Sequence, residues 1–198
     1  MLVWMEAQLC GELFVDVGAN VGLYSLLAAE LGANVIAVEP AAGAFRRLRE
    51  NIALNGYDIQ AERIVLADEP GEALFTQDRG AVNRIVAPGE DESAQPTRVT
   101  TLDAVLDNRT AAGVKVDVEG AEALVLAGAA KALAAKRIRL LQLEWNQRSV
   151  AMLGQDRRPI EESLRSYGYE LLRPDSVGRL LPIEDASFGA DVFARPAR

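Results

Sequence analysis

Leu13-Phe14-Val15-Asp16-Val17-Gly18-Ala19-Asn20-Val21-Gly22 decides the fold. An apolar run broken by one acid closes on Gly18, and Gly22 to Leu31 then reads as a helix. Downstream the alternation repeats. Asn34 to Val38 is a second apolar run, and Phe45, Leu48 and Ile52 recur at helical spacing within Ala41 to Asn55. Gly56 follows as a C-terminal stop, and Arg63 to Leu66 reads as a third strand. Strand and helix in alternation predict parallel βαβ units with right-handed crossovers, a doubly wound, Rossmann-like α/β fold.

The middle changes character. Ala73 to Thr76, Val82 to Val86 and Arg98 to Thr100 read as short strands, and the acidic Pro88 to Pro96 stretch reads as an exposed loop. Thr100 and Asp103 have capping-box spacing before a short helix. Alternation resumes with strand Val114 to Val118, helix Ala121 to Ala135, strand Ile138 to Leu143 and helix Ile160 to Ser166. Tyr169 to Leu172, Arg179 to Ile183 and Asp191 to Ala194 close the chain as strands, a terminal hairpin on a parallel sheet.

Composition sets bounds. The 198 residues suit one domain, 1–198, and 49% hydrophobic with 25% charged residues argues against disorder. A net charge of −8 disfavours a nucleic-acid partner, and the Arg46, Arg47, Arg49 cluster reads as a solvated helix face. No apolar run is long enough to span a membrane, and the first residues do not read as a signal peptide. Cys10 is the single cysteine, so no internal disulfide forms and a cytoplasmic location is expected. Histidine is absent, so any proton transfer must use another group.

A central parallel strand is covered on both faces and should be continuously apolar. Here Asp16, Glu39, Asp117 and Glu144 stand at or just after strand ends. Open α/β sheets bind ligands at that edge, where strand order reverses. Converging acids repel one another unless a cationic or hydrogen-bonding ligand lies among them. S-adenosylmethionine offers a sulfonium, an ammonium and a ribose diol. In the loop, Gly18 permits a tight turn and Gly22 close helix packing, but Asn20 stands where a dinucleotide fingerprint needs its second glycine. An acid and an amide there suit an amino-acid headgroup better than a pyrophosphate. Glu39 is placed for both ribose hydroxyls, and Asp68 for an adenine amino group or an exposed turn.

The stretches Phe14 to Ser25, Val38-Glu39-Pro40 and Asn51 to Gly56 resemble the FkbM methyltransferases. So do Thr101-Leu102-Asp103, Lys115-Val116-Asp117-Val118-Glu119-Gly120-Ala121-Glu122 and Val125 to Ala129. The K-x-D-x-E-G-x-E segment is the most specific. The resemblance implies a seven-stranded, mostly parallel sheet with an antiparallel last strand. It also implies S-adenosylmethionine bound about Asp16, Gly18, Asn20, Gly22, Glu39 and Pro40, and methylation of a hydroxyl on a sugar, glycolipid or natural-product acceptor. Relatives carry a longer region before the glycine loop, so part of the acceptor site is expected to be absent or supplied by another chain. The oligomeric state stays open, a homodimer included.

Methyl transfer from a sulfonium needs alignment and removal of one proton. Asp117 is the first candidate base, Glu144 the second, and Lys115 is expected to pair with an acid. Asp117, Glu119 and Glu144 could alternatively hold magnesium, but the metal-free route is preferred. Trp145 could stack on a sugar, though packing is the commoner role of such a residue. Two rival readings are a nicotinamide-dependent oxidoreductase and a non-catalytic cofactor-binding domain.

Overall fold

The computed structural model describes residues 9–77, 83–87, 89–144, 157–184 and 191–197. Its main body is an eight-stranded sheet built on five parallel strands. These are β1 (Leu13–Val17), β2 (Asn34–Val38), β3 (Ile59–Glu62), β8 (Ala111–Val116) and β9 (Leu141–Leu143). Three strands joined by antiparallel pairing extend it: β10 (Tyr169–Pro174), which runs in the direction of the five, and β11 (Leu180–Pro182) and β12 (Val192–Pro196), which run against them. The strand order is β11-β10-β12-β9-β8-β1-β2-β3, so the order reverses between β1 and β8. The sheet is doubly wound, as the alternation predicts. It has one strand more than the seven expected, because β11 folds back on β10 as an outer hairpin. Sequence order does not give spatial order here, since β12 inserts between β9 and β10.

The helices are α1 (Leu23–Glu30), α2 (Ala42–Asn55), α3 (Leu102–Leu106), α4 (Glu122–Ala127), α5 (Ala130–Ala134) and α6 (Arg158–Ser166). Apolar cores lie on both faces of the sheet. Val15, Val17, Val114 and Val116 pack with α3 to α6 on one face, and Phe14, Ala37 and Ala112 pack with α1 and α2 on the other. β1 and β8 are buried throughout, which requires their near-continuous apolar runs.

The small sheet is the departure from a plain doubly wound fold. β4 (Val65–Leu66), β5 (Gly71–Phe75), β6 (Ile85–Val86) and β7 (Gln95–Thr100) form it in the order β4-β7-β5-β6. The third strand expected over 63–66 is therefore two. Ile59–Glu62 borders the main sheet, and Val65–Leu66 belongs to the small one. Part of the expected acidic loop is strand as well, since Gln95 and Pro96 pair with Phe75 and Leu74. Proline is tolerated there because β4 reaches only Val99 and Thr100, which leaves Pro96 on a local edge. Pro88 lies outside the described residues.

Two local expectations change. Thr101, not Thr100, caps α3, its hydroxyl accepting the Ala104 N–H at 3.1 Å. Asp103 instead accepts the N–H groups of Lys131 and Ala132 at 2.9 and 2.7 Å, capping α5. The helix expected over 121–135 breaks at Gly128. A Cβ on Gly128 would lie 2.1 Å from the Ala67 carbonyl oxygen, so the chain passes too close there for any side chain.

Candidate functional site

A cavity of about 310 Å³ opens at the carboxyl edge of the main sheet, beside the reversal between β1 and β8. One wall is polar and comes from strand ends: Gly18 and Asn20 after β1, Glu39 and Pro40 after β2, Asp117 and Glu119 after β8, and Glu144 after β9. The opposite wall is mostly apolar and comes from Ile64 to Leu66 and the small sheet, with Phe75 and Ile85. Asn83 and Arg84 add its polar groups.

The glycine loop is fixed from beneath. Gly18 has φ +80°, and a Cβ on it would lie 1.8 Å from the Asp117 carbonyl oxygen. Glycine is required because this turn presses against the end of β8. The Gly18 and Ala19 N–H groups both donate to the Val38 carbonyl, at 2.9 and 3.0 Å, tying the loop to β2 as well. Gly22 has φ +97°, and its Cβ would meet Leu48 Cδ1 at 2.6 Å. Its role is packing between α1 and α2, and it does not line the cavity.

Glu39 is 7% exposed and held by two backbone donors. Asn20 N–H donates to Oε2 at 2.9 Å, and Ala41 N–H to Oε1 at 2.8 Å. Burial pushes its pKa up, and these two bonds oppose that rise. The carboxylate is locked in one orientation at the cavity wall, each oxygen keeping further acceptor capacity.

Asp16 is placed differently. It lies beneath the cavity rather than in its wall, 1% exposed and facing α1. Ser25 Oγ donates to its Oδ2 at 2.6 Å, while buried Oδ1 has no hydrogen-bond partner among the described residues. Burial raises its pKa, against the pull of Lys115 and the Ser25 bond. Lys115, its register partner on β8, is 5% exposed. The Lys115 ammonium donates to Asp117 Oδ2 at 2.7 Å and sits 4.6 Å above the Tyr24 ring. Burial alone would lower its pKa, but attraction to Asp16 and Asp117 outweighs that and raises it.

Three acids gather at one end of the cavity. Ligand oxygens of Asp117, Glu119 and Glu144 all lie within 4.8 Å of one another. Glu119 reaches this position through a left-handed backbone, φ +50°, followed by Gly120 at +102°. Glu122, the last acid of the motif, does not join them. It is fully buried, accepts the Gly120 N–H at 3.1 Å and pairs with Arg157 at the start of α6.

Of the residues singled out from sequence, the cavity thus gathers Gly18, Asn20, Glu39, Pro40, Asp117 and Glu144. Asp16 and Gly22 support it from outside, and Asp68 is exposed on a turn away from the wall. Trp145 lies outside the described residues. Sequence reading missed the small-sheet wall, Phe75, Asn83, Arg84 and Ile85, whose residues carry no motif of their own.

Residues 16–171 match the model of the Methyltransferase FkbM domain. The chain is 26% identical over 207 aligned positions to the AMB antimetabolite synthetase AmbE of Pseudomonas aeruginosa. That match covers 82% of this chain and about a tenth of that relative's length. Among solved structures, magnesium protoporphyrin IX methyltransferase from Synechocystis, with bound S-adenosylmethionine, superposes with a TM-score of 0.56. It is 15% identical, and the match covers 99% of this chain and 76% of that one. A SAM-dependent O-methyltransferase from Thermotoga maritima gives 0.55 at 11% identity, over 100% and 63% of the two chains. These structural likenesses concern the fold.

Proposed function

The chain belongs to the FkbM methyltransferase family, and we propose that it methylates a hydroxyl on a sugar, glycolipid or natural-product acceptor, with Asp117 as the base. Membership makes S-adenosylmethionine its cofactor and sets aside the nicotinamide reading. The residues present fit that group. A locked carboxylate, Glu39, and the glycine loop line one part of a cavity whose other wall is apolar, which suits a ribose joined to a flat purine. Glu39 would accept from the ribose hydroxyls, Asn20 and the loop would take the amino-acid end, and Pro40, Leu66 and Phe75 would enclose the base. When bound, the cofactor supplies a methyl group already activated by a sulfonium.

The observation that carries the proposal is Asp117. It stands at the β1/β8 reversal with one oxygen pinned by Lys115. Its other oxygen is the proton acceptor in this reading. A hydroxyl proton leaves late in such a displacement, so a positioned carboxylate suffices without histidine. Glu144 stands beside it as a second acceptor or as a contact for the sugar-type hydroxyls. The synthetase name of the curated relative supports the natural-product end of the acceptor range. Among the described residues no helix is long and apolar enough to cross a membrane.

The test is label transfer from methyl-tritiated S-adenosylmethionine to a panel of sugars, glycolipids and polyketide-type alcohols. The expected result is incorporation into hydroxyl acceptors that survives EDTA. Cofactor binding without incorporation into any acceptor would favour the non-catalytic reading. Loss of turnover with EDTA and its restoration by magnesium would make Asp117, Glu119 and Glu144 metal ligands instead.

A further inference from the structure

A buried polar row crosses the main sheet one layer beneath the cavity. Asp16 on β1, Lys115 on β8 and Gln142 on β9 are register partners on three adjacent strands. All three are 5% exposed or less. The first turn of α1 covers the row with Tyr24 and Ser25, and Gln142 donates to Asp191, ahead of β12, at 2.6 Å. Strand interiors of a parallel sheet rarely carry such groups, because each costs desolvation. Packing alone does not call for a lysine at 115, where an apolar residue would fill the same space.

We propose that Lys115 is a positioning residue for Asp117. Its ammonium is held between the Tyr24 ring at 4.6 Å and Asp117 Oδ2 at 2.7 Å, and the Asp16 carboxylate, on the register partner in the neighbouring strand, attracts it electrostatically. With its stem packed inside the sheet, the ammonium has little room to follow a moving partner. It therefore fixes Asp117, which stands past the strand end at the cavity wall, where a free aspartate could rotate away. Asp16 acts in turn on Lys115: it supplies a second negative charge that keeps the buried ammonium ionised, and Ser25 holds Asp16 in place. Lys115 does not line the cavity, so it acts through Asp117 and not on the reacting atoms. Asp16, read from sequence as a cofactor contact, becomes the far end of this device.

This inference rests on the assignment of Asp117 as the base, and a double-mutant cycle separates the two. Lys115→Met, Asp117→Asn and the double variant are compared by calorimetry with S-adenosylhomocysteine and by methyl transfer to an acceptor found in the panel. Lys115→Met should bind S-adenosylhomocysteine within about threefold of wild type and lose about 10- to 100-fold in kcat with little change in KM. It should add nothing further to Asp117→Asn, because both changes disable one unit. Losses that multiply in the double variant overturn the inference, as does a loss of cofactor binding equal to the loss of rate. If Lys115→Met does not fold, Tyr24→Leu removes the ring above the ammonium and leaves the ion pair. It should lower kcat several-fold in wild type and have no effect in Asp117→Asn; an equal loss in both overturns the inference. If no acceptor reacts, the base assignment fails, and a crystal structure of Lys115→Met still decides the positioning. Asp117 rotated from its wild-type place supports it, and Asp117 unmoved overturns it.

Discussion

The two walls of the cavity are built from very different material. The polar wall stands on β1 and β8, which are buried along their whole length. The apolar wall belongs to a small sheet whose β5 and β7 are mostly exposed or half-buried and whose β4 and β6 have two residues each. Charged groups do chemistry only when held within fractions of an ångström, which a fully covered strand provides. A flat or apolar ligand surface needs only area and shape, which a less deeply buried sheet can supply. Substitutions in the polar wall should therefore cost rate, folding or, at Glu39, a charge-assisted contact to the cofactor, and those in the apolar wall a smaller amount of affinity alone.

The largest effect should come from Asp117→Asn. Turnover should drop by roughly 10²–10⁴, with cofactor affinity held within a few-fold, as measured by single-turnover kinetics and calorimetry. A matching loss of affinity would move Asp117 from the chemistry to cofactor binding. Next comes Gly18→Ala, which forces a Cβ to 1.8 Å from the Asp117 carbonyl at φ +80°. The combined steric and backbone cost should be about 2–4 kcal/mol in urea unfolding. Unchanged stability would mean that the β1 and β8 ends can part freely. Ile85→Ala, in the apolar wall, should weaken S-adenosylhomocysteine by about fivefold, the worth of about 1 kcal/mol of lost contact, and leave kcat at saturation alone. A large kcat loss there would erase the distinction between the walls.

The smallest effect is in the pH dependence. Glu39 has its pKa raised by burial, so it takes up a proton at a higher pH than an ordinary glutamate. Its ionised form is the better acceptor for the ribose, so cofactor affinity should be flat near neutrality. It should fall on acidification through a window above the usual glutamate value of 4.5. The unliganded protein responds with the opposite sign. A carboxyl with a raised folded-state pKa favours the folded state when protonated, and that contribution is lost as pH rises through the folded value. Affinity should consequently decline before the fold does. A decline only below 4.5 would place Glu39 outside the binding equilibrium.

The same contrast explains what sequence reading could reach. β1 and β2 are legible residue for residue, because near-continuous apolar runs ending in Gly18 and Glu39-Pro40 reflect burial on both faces. Edge strand β3 is not, since Ile59-Gln60-Ala61-Glu62 is half polar. The small sheet is only partly legible. Leu66 pairs with Thr100 across a long excursion, and no local pattern announces such a partner. At the site, strand ends located Glu39, Asp117 and Glu144, because topology alone brings them to one edge. Asp16, expected among the cofactor contacts, lies beneath the cavity wall, because alternation shows that a residue has a face but not which helix covers it. Lys115 pairs with an acid, as the sequence pattern leads one to expect.

The account stands most directly on Glu39, whose carboxylate is locked by the Asn20 and Ala41 N–H groups at the cavity wall. The deciding measurement is calorimetric titration of S-adenosylhomocysteine into wild type and Glu39→Ala at neutral pH. Losing charge-assisted hydrogen bonds to the ribose should cost about 1.5–3 kcal/mol, or roughly 10- to 150-fold in affinity. Equal affinity in the two proteins would contradict the account, because the cofactor would then not be held at the β1/β2 edge of this cavity.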